Sequence, residues 1–148
     1  MTTTSAPSGT TASSGTTTAA DDIAAVRAGF EAFAHGDVAG FAAMFRPDAT
    51  WNHRNDDHLG GVHRGIDGIM AFLGESGQLT AGTLRAVPER YMADGEGHVA
   101  VCTRVSGTRP DGRTFDDSQI LLFVLEGALV CTVDQYIGDP TAVTAFWA

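Results

Sequence analysis

Apolar residues repeat at a helical period near the start of the chain. They stand at intervals of three and four and form one stripe, made of Ile23, Val26, Phe30 and Phe33. Asp21 and Asp22 precede this stripe and are good N-cap residues, and Gly36 follows it as a helix-ending residue. The pattern therefore predicts a first helix that begins at about residue 21 and ends at Gly36.

Two further helices and a strand are predicted before the middle of the chain. A short helix over 38–45 ends before Pro47, because the residue before a proline avoids the helical conformation. A strand is predicted over 49–53. The segment RGIDGIMAFLGESG, residues 64–77, again has apolar residues at helical spacing and predicts the third helix.

The second half of the chain changes to a strand-like pattern. Three β-rich runs over about 83–93, 97–109 and 113–137 are separated or interrupted by the turn sequences DGEG, RPDG and EG. They predict an antiparallel meander. A last short helix is predicted after Asp139, with Pro140 at its first position. Helices followed by a strongly curved sheet indicate an α+β domain whose helices cover one face of the sheet.

The hairpin around Glu126 and Gly127 determines which side chains share a face. A two-residue turn there pairs Gln119 with Asp134, and Asp117 with Tyr136, on the same side of the sheet. A three-residue loop would instead place Ser118 opposite Asp134. The other side carries an apolar set that needs a cover of helices or a second subunit, made of Ser118, Ile120, Leu122, Val124, Leu129, Cys131 and Val133.

Composition and charge narrow the classes of partner. The chain has 148 residues, 43% of them hydrophobic, which suffices for one domain with a core. A net charge of -9 argues against nucleic acid and anionic membranes as partners, since both require a basic surface. Every basic residue is arginine, which excludes lysine Schiff-base chemistry. Residues 1–20, rich in Thr and Ser, predict a disordered tail without a signal peptide, and 21–148 the domain.

Two kinds of residue suggest chemistry. Cys102 and Cys131 lie in apolar runs without a metal-binding spacing, which favours reduced thiols in the cytoplasm. The stretch TWNHRNDDHLGGVHRG, residues 50–65, holds three histidines and is open to interpretation as a metal site, a pocket rim or a solvated loop. The histidines stand five residues apart and match neither the H-E-x-x-H motif nor a facial triad, so we expect no metal. We also expect no cofactor.

The order of elements and the local sequence motifs resemble those of the SnoaL-like branch of the nuclear-transport-factor-2-like superfamily. The matching stretches are AAVRAGFEAFAHGDVAGFAAMFRPDATWNH, GGVHRGIDGIMAFL and EGALVCTVDQYIGDPTAVTAFWA. The resemblance implies a cone, in which a curved antiparallel sheet wraps around the N-terminal helices, encloses an apolar pocket and forms a homodimer. Such proteins include polyketide cyclases, ketosteroid isomerases, limonene-epoxide hydrolases and dehydratases, so the fold alone does not define the reaction.

The resemblance also implies candidate site residues. An acid–base aspartate follows the hairpin glycine by seven residues in these families, and that position is Asp134. The early-strand pair that holds water in the epoxide hydrolases corresponds to Trp51 and His53, and a middle-strand Arg and Asp to Cys102 and Arg104. Because both pairs are altered, we do not expect epoxide hydrolysis by that mechanism.

The remaining candidates would shape a pocket around Asp134. An apolar surrounding would raise the pKa of that carboxyl, although an adjacent Arg104 would lower it. His53 would face the cone beside Trp51 as a second proton carrier, and a structural histidine is the alternative. The expected wall is completed by His63, Phe72, Asp117, Gln119 and Tyr136, any of which also suits a core or solvated role.

Three functions are compatible with this sequence. The first is a cofactor-free, acid–base enzyme that cyclises, isomerises or dehydrates a hydrophobic, oxygenated small molecule such as a polyketide or terpenoid intermediate. There Asp134 would move the proton, and His53 with Tyr136 or Gln119 would hold the oxygen. The second is a non-catalytic carrier of such a molecule. The third is a pure dimerisation module without a cavity.

Overall fold

The computed structural model describes residues 17–148, which form four helices and six strands. The helices are α1 Ala19–Ala34, α2 Val38–Ala42, α3 Gly65–Leu79 and α4 Pro140–Trp147. The strands are β1 Phe45–Arg54, β2 Gly61–Arg64, β3 Arg85–Ala93, β4 His98–Thr108, β5 Thr114–Glu126 and β6 Leu129–Tyr136. Among these residues, no helix is both long and apolar enough to cross a membrane.

The first helix begins earlier than the sequence pattern predicts. Thr18 is the N-cap: its hydroxyl accepts from the Asp21 backbone N–H at 3.1 Å, and the Asp21 carboxylate accepts from the Thr18 N–H at 3.2 Å. This capping box satisfies two backbone donors at once, so Asp21 stands three residues inside the cap instead of forming it. Most of the proposed tail lies outside the described residues, and its last two, Ala19 and Ala20, belong to α1.

The six strands form one sheet in the order β2-β1-β6-β5-β4-β3. Strands β3 to β6 make the expected antiparallel meander, whereas β1 pairs with β6 in parallel, so the sheet is mixed. The curved sheet remains open, and α1 packs on β3 and β4 while α3 packs on β1. The α+β cone predicted from the sequence is therefore confirmed, with β1 longer and α2 shorter than expected.

The hairpin between β5 and β6 differs from both predicted registers. Gly127 and Ala128 occupy the turn with φ of 56° and 66°, and Glu126 keeps its place in the strand, paired with Leu129. Glutamate avoids the positive φ that such a turn requires, and glycine supplies it. A bulge follows, because Leu125 pairs with Val130 but Val124 with Thr132.

Because of the bulge, the side chains of β6 near Asp134 point to the opposite side of the sheet from the one that the sequence predicts. Asp134 pairs with Leu122, and Gln135 pairs with Leu121, a residue of the buried face. The prediction that Asp134 shares a face with Gln119 is wrong, because the turn and the bulge together shift the pairing by an odd number of residues. The residue of β6 that faces the interior at this level is Gln135.

The unusual conformation of Ala128 gives a direct test of this turn. We expect Ala128→Gly to raise the free energy of unfolding by up to about 1 kcal/mol, because glycine adopts positive φ without the steric cost of a Cβ. Chemical denaturation measures the change. The control is Ala71→Gly, at an exposed position inside α3, which should lower stability by about 1 kcal/mol. Destabilisation by both variants would contradict the turn described above.

Candidate functional site

A cavity lies between the helices and the inner face of the sheet. Its wall is mostly apolar and aromatic, with Phe30 and Phe33 from α1, Phe72 and Leu73 from α3, and Trp147 from α4. The volume that the centre of a water molecule can reach inside is about 70 Å³. That is room for roughly five water molecules, or for a single small ring.

A groove adjoins this cavity on the side of the helices. It runs between the end of α1, α2 and α3, and the centre of a water molecule reaches about 410 Å³ of it. The groove and the cavity share Phe33, Phe41 and Leu73 in their walls. These three side chains therefore separate the interior from a wider apolar opening, and their rotation would connect the two spaces.

A row of polar side chains crosses the otherwise apolar wall. The alternation of β1 places Trp51 and His53 inward, and β5 and β6 contribute Gln119 and Gln135. The Gln135 Oε1 accepts from Trp51 Nε1 at 2.9 Å and lies 3.1 Å from His53 Nδ1. The Gln135 amide nitrogen donates to Gln119 Oε1 at 2.7 Å. We call these four side chains the polar row.

A carboxylate holds each end of the polar row. At one end His53 Nε2 lies 2.9 Å from Asp57 Oδ2, which also accepts from the Asn55 amide at 2.6 Å. At the other, Gln119 donates to Asp117 Oδ2 at 3.1 Å. The Asp117 carboxylate also accepts the backbone N–H groups of 138 and 139 at 3.0 and 2.9 Å, which ties the row to the start of α4.

The two ends fix the direction of every hydrogen bond in the row. The indole N–H of Trp51 can only donate, so the atom that it meets on Gln135 is the oxygen. That oxygen and the Asp57 carboxylate are both acceptors, and they face the two ring nitrogens of His53. A doubly protonated ring would donate from both nitrogens and satisfy this geometry. His53 and Asp57 form a buried ion pair, with side chains 3% and 0% exposed.

The electrostatics of Asp57 agree with this pairing. Burial acts to raise the pKa of this carboxyl. The hydrogen bonds from His53 and Asn55, the positive charge of His53 and the backbone N–H of Leu59 act in the opposite direction and outweigh burial. The pKa of Asp57 therefore lies below the ordinary value of 3.8, and the group is ionised at neutral pH.

The lowered pKa predicts an acid-dependent contribution to stability. A depressed folded-state pKa stabilises the fold above the unfolded value of 3.8, and that contribution is lost as the pH falls through the folded-state pKa. We expect the stability difference between the wild type and Asp57→Asn to be fully present above pH 3.8 and to shrink as the pH falls below that value. Urea denaturation at a series of pH values measures it. A difference that grows on acidification would contradict the ion pair.

The three histidines of the 50–65 stretch have different partners. His53 is part of the polar row, His58 pairs with Glu75 of α3 at 2.5 Å, and His63 stacks on Phe72 with ring centroids 4.2 Å apart. Among residues 17–148, no group of three or more His, Cys, Asp or Glu is placed to hold a metal ion. The stretch closes one end of the cavity, where the buried Leu59 joins its wall.

Asp134 and Tyr136 lie on the face of the sheet that points away from the cavity. The Asp134 side chain is 25% exposed, and its Oδ1 receives Nε and Nη2 of Arg54, each at 2.9 Å. The same guanidinium lies over the Tyr136 ring, 5.2 Å from its centroid. The prediction that these residues reach the pocket is wrong, because the β-bulge turns them outward. In this position Asp134 cannot touch a molecule bound in the cavity.

Arg104 also points away from the cavity. It pairs with Ser118 across β4 and β5, and its guanidinium binds Asp116 at 2.9 Å and approaches Glu89 at 3.6 Å. The neighbouring Asp116 carboxylate raises the pKa of this arginine. The expected contact of Arg104 with the pocket is therefore a second correction. It follows from the same alternation that buries Thr103 and Val105 on either side.

The other predicted site residues come together around the cavity. Trp51, His53, Phe72 and Gln119 lie in its wall. Asp117 is buried and reaches it only through Gln119, and His63 only through its stacking on Phe72.

Two residues that the sequence interpretation left out complete this site. Gln135 links three members of the row, and Asp57 binds His53. Asp57 stands four residues after His53, and its carboxylate accepts the N–H of Leu59 two residues later, at 2.8 Å. This local turn is common for aspartate, and it was a readable signal. Gln135 had none, since its face depends on the bulge.

Comparison with known proteins identifies the family. A model of the SnoaL-like domain matches residues 26–133. The chain belongs to the SnoaL-like domain family. Among curated relatives, uncharacterized protein Rv0034 of Mycobacterium tuberculosis is 31% identical over 127 residues, which are 86% of this chain and 96% of that protein.

Solved structures agree with the SnoaL-like assignment. Bal32a, from a soil-derived mobile gene cassette, superposes with a TM-score of 0.85 at 27% identity, over 88% of this chain and 98% of that one. RV0760c from Mycobacterium tuberculosis, solved in complex with estradiol-17beta-hemisuccinate, has a TM-score of 0.69 at 13% identity, over 78% and 92%. At 13% identity, the similarity to RV0760c shows a shared fold and nothing more.

Proposed function

We propose that this SnoaL-like protein binds a small, mostly apolar molecule with one oxygen-containing group in the cavity. The observation that carries the proposal is the polar row inside an aromatic wall. An apolar wall gains affinity from burying a ligand's surface, and a few fixed polar groups orient it. A core with no ligand to orient has little use for two buried glutamines that keep unused N–H groups.

The size of the cavity narrows the ligand. Room for roughly five waters suits a single ring, and a larger ring system requires Phe33, Phe41 or Leu73 to rotate toward the groove. A steroid conjugate is bound by RV0760c, a protein of the same fold, and this supports a mostly apolar ligand for the present chain.

Native mass spectrometry of the protein purified from its producer tests this proposal. We expect a retained mass of small-ring size that disappears on partial unfolding. If the purified protein carries no such mass, and a panel of single-ring compounds leaves the fluorescence of Trp51 and Trp147, both in the cavity wall, unchanged, the proposal is wrong.

A second candidate is an acid–base enzyme, and the buried pair of His53 and Asp57 favours it. A histidine oriented by a carboxylate in an enclosed site is an arrangement used for proton transfer. The Nδ1 of protonated His53 would give its proton to a ligand oxygen that displaces Gln135 Oε1. The ring would recover a proton from a ligand carbon, as isomerisation, intramolecular aldol cyclisation and dehydration require.

The enzyme and the carrier differ in what happens to the retained molecule. On incubation an enzyme converts the mass that it carries to a new one. His53→Asn should then slow conversion by at least about 100-fold while ligand affinity changes much less. Asp134→Asn, on the outer face, is the matched control and should convert at the wild-type rate. An unchanged mass in the wild type would favour the carrier.

We also propose that the outer face of the sheet joins two copies of the chain. Large apolar side chains there are exposed, with Ile120 and Tyr136 at 44% and Leu129 at 39%. An apolar face of this kind on an unpaired sheet indicates a protein contact. Sedimentation should give a dimer for the wild type and a monomer for Ile120→Arg, and a monomeric wild type would contradict the interface.

A further inference from the structure

We propose that the groove beside the cavity is a second subsite, which binds a hydrocarbon chain carried by the ring that occupies the cavity. The inference rests on the proposed binding of a single ring in the cavity and adds an apolar chain to that ligand. Three observations support the subsite: the groove and the cavity share a wall, the groove has almost no polar surface, and Gly74 leaves room in it.

The cavity and the groove meet at three side chains. Phe33, Phe41 and Leu73 line both spaces. Phe41 is buried, and its ring packs against those of Phe33 and Phe45 with centroids 5.6 and 5.3 Å apart. Leu73 is only partly buried, and the adjacent Gly74 has no side chain that would obstruct its rotation. A change of the Leu73 rotamer would therefore join the two spaces while the aromatic contacts stay in place.

The oxygen and the chain of one ligand would have separate sites. The polar row belongs to β1, β5 and β6, whereas the three shared side chains belong to α1, α2 and α3. A ring in the cavity can thus present its oxygen to the strands and a substituent to the helices. The cavity holds the ring alone, and the groove, of which the centre of a water molecule reaches about 410 Å³, has room for several further carbon atoms.

The wall of the groove is apolar except for Asp37. The carboxylate of Asp37 caps α2 by accepting the Gly40 N–H at 2.9 Å. In the turn before α2, the carbonyl of Ala32 accepts the Asp37 N–H at 2.9 Å, and that of Phe33 accepts the Gly36 N–H at 3.2 Å. Because these polar groups are paired with one another, a hydrocarbon would bury the groove wall without leaving them unpaired. A sugar, a phosphate or an extended peptide would find few partners there.

Gly74 keeps the groove open. It lies on the same face of α3 as Met70 and Leu73, the other residues that this helix contributes to the groove wall. A Cβ at position 74 would meet no other atom within 4 Å, so no packing contact requires glycine there. Glycine is also unfavourable inside a helix. A larger side chain at this position would occupy the space that the chain of the ligand needs.

A pair of ketones tests the subsite, with binding followed by the fluorescence of Trp51 and Trp147. A fully buried CH₂ group raises affinity roughly fourfold, so we expect 4-pentylcyclohexanone to bind at least about 10-fold more tightly than cyclohexanone. Equal affinities would mean that the groove serves another occupant, such as a protein, and would overturn the inference while leaving the proposed binding in the cavity intact. If neither ketone binds, the inference and the proposed function both fail.

A substitution assigns the gain in affinity to the groove. In Gly74→Leu we expect the advantage of the pentyl compound to fall below about threefold, while cyclohexanone binds as it does to the wild type. Leucine favours the helix, and thermal unfolding checks that the variant folds. Ala71→Leu is the matched control, because it adds a leucine to an exposed position of α3 outside the groove wall. It should keep the full advantage, and an undiminished advantage in Gly74→Leu would overturn the inference.

Three methionines report the position of the chain in the wild-type protein. Met44 lies in the cavity wall, Met70 lies in the groove wall, and Met92 is exposed on β3 and lines neither space. In methyl NMR spectra, cyclohexanone should shift the signal of Met44, and 4-pentylcyclohexanone should shift those of Met44 and Met70. A pentyl compound that shifts Met92 and leaves Met70 unmoved would have bound elsewhere, and the inference would be wrong.

Discussion

Replacing Asp57 with alanine should lower the free energy of unfolding by about 3–5 kcal/mol, the usual cost of removing one partner from a buried ion pair. The His53 ring would remain inside the protein with an N–H that has lost its acceptor. The loop would also lose the hydrogen bonds from Asn55 and from the Leu59 N–H to the carboxylate. Chemical denaturation followed by circular dichroism measures the change.

Asp134→Ala is the control for this prediction, since both positions carry an aspartate bound to a cation. The Asp134 side chain is partly exposed and its partner Arg54 more so, and pairs of this kind contribute between about 0 and 1 kcal/mol. We therefore expect a small loss for Asp134→Ala. A larger loss there than for Asp57→Ala would mean that the important carboxylate lies on the outer face.

Phe72→Ala is expected to have a comparable effect on stability and a distinct effect on ligand size. The Phe72 ring contacts Trp51, His53 and His63, so its removal should cost about 3–5 kcal/mol and enlarge the cavity. We expect the variant to bind two-ring compounds such as naphthalene more tightly than the wild type does, because no side chain has to rotate to admit them. Thermal unfolding and fluorescence titration measure the two effects.

Phe146→Ala is the control that distinguishes a loss of stability from an enlargement of the cavity. Phe146 is equally buried, but it packs against Phe115 and Trp147 and does not line the cavity. It should cost a similar amount of stability without extending the range of ligands. If both variants bind two-ring compounds equally well, general loosening of the core explains the result, and the placement of the ligand beside Phe72 is contradicted.

The sequence predicts the elements of this fold better than their registration. Apolar residues at intervals of three and four mark α1 and α3 within a few residues, because each helix buries one stripe whatever lies opposite. The exposed and buried residues of β5 alternate with equal regularity. Turn positions 127–128 and the bulge at Cys131 act differently. The turn moves the pairing partner of each β6 residue by two positions and the bulge by one more, and neither leaves a mark on the hydrophobic pattern.

That limit explains why the site was only partly predictable. His53 and Trp51 lie on a strand whose inward face follows from Ala49, which is fully buried two residues before Trp51. Asp134 and Gln135 are adjacent, and the choice between them depends on one bulge. The position that an acid–base aspartate takes in related families therefore did not determine whether Asp134 or Gln135 enters the cavity. The register shift places the amide of Gln135 in the wall where a carboxyl was expected.

The exchange changes the chemistry that the cavity can support. A carboxyl at the position of Gln135 would be a candidate proton donor or acceptor, whereas the amide does not titrate. The ionisable groups of the polar row are instead His53 with Asp57 at one end and Asp117 at the other. Proton transfer to a ligand would pass through His53, and recognition of its oxygen through the two glutamines.

A crystal soaked with 4-bromocyclohexanone tests the central claim most directly, because the anomalous signal of bromine locates the bound molecule without interpretation of weak density. We predict a bromine peak inside the cavity, with the ketone oxygen within hydrogen-bond distance of the Gln119 and Gln135 nitrogens. A peak confined to the outer face beside Asp134 and Tyr136, with the cavity unoccupied at full soaking concentration, would contradict it.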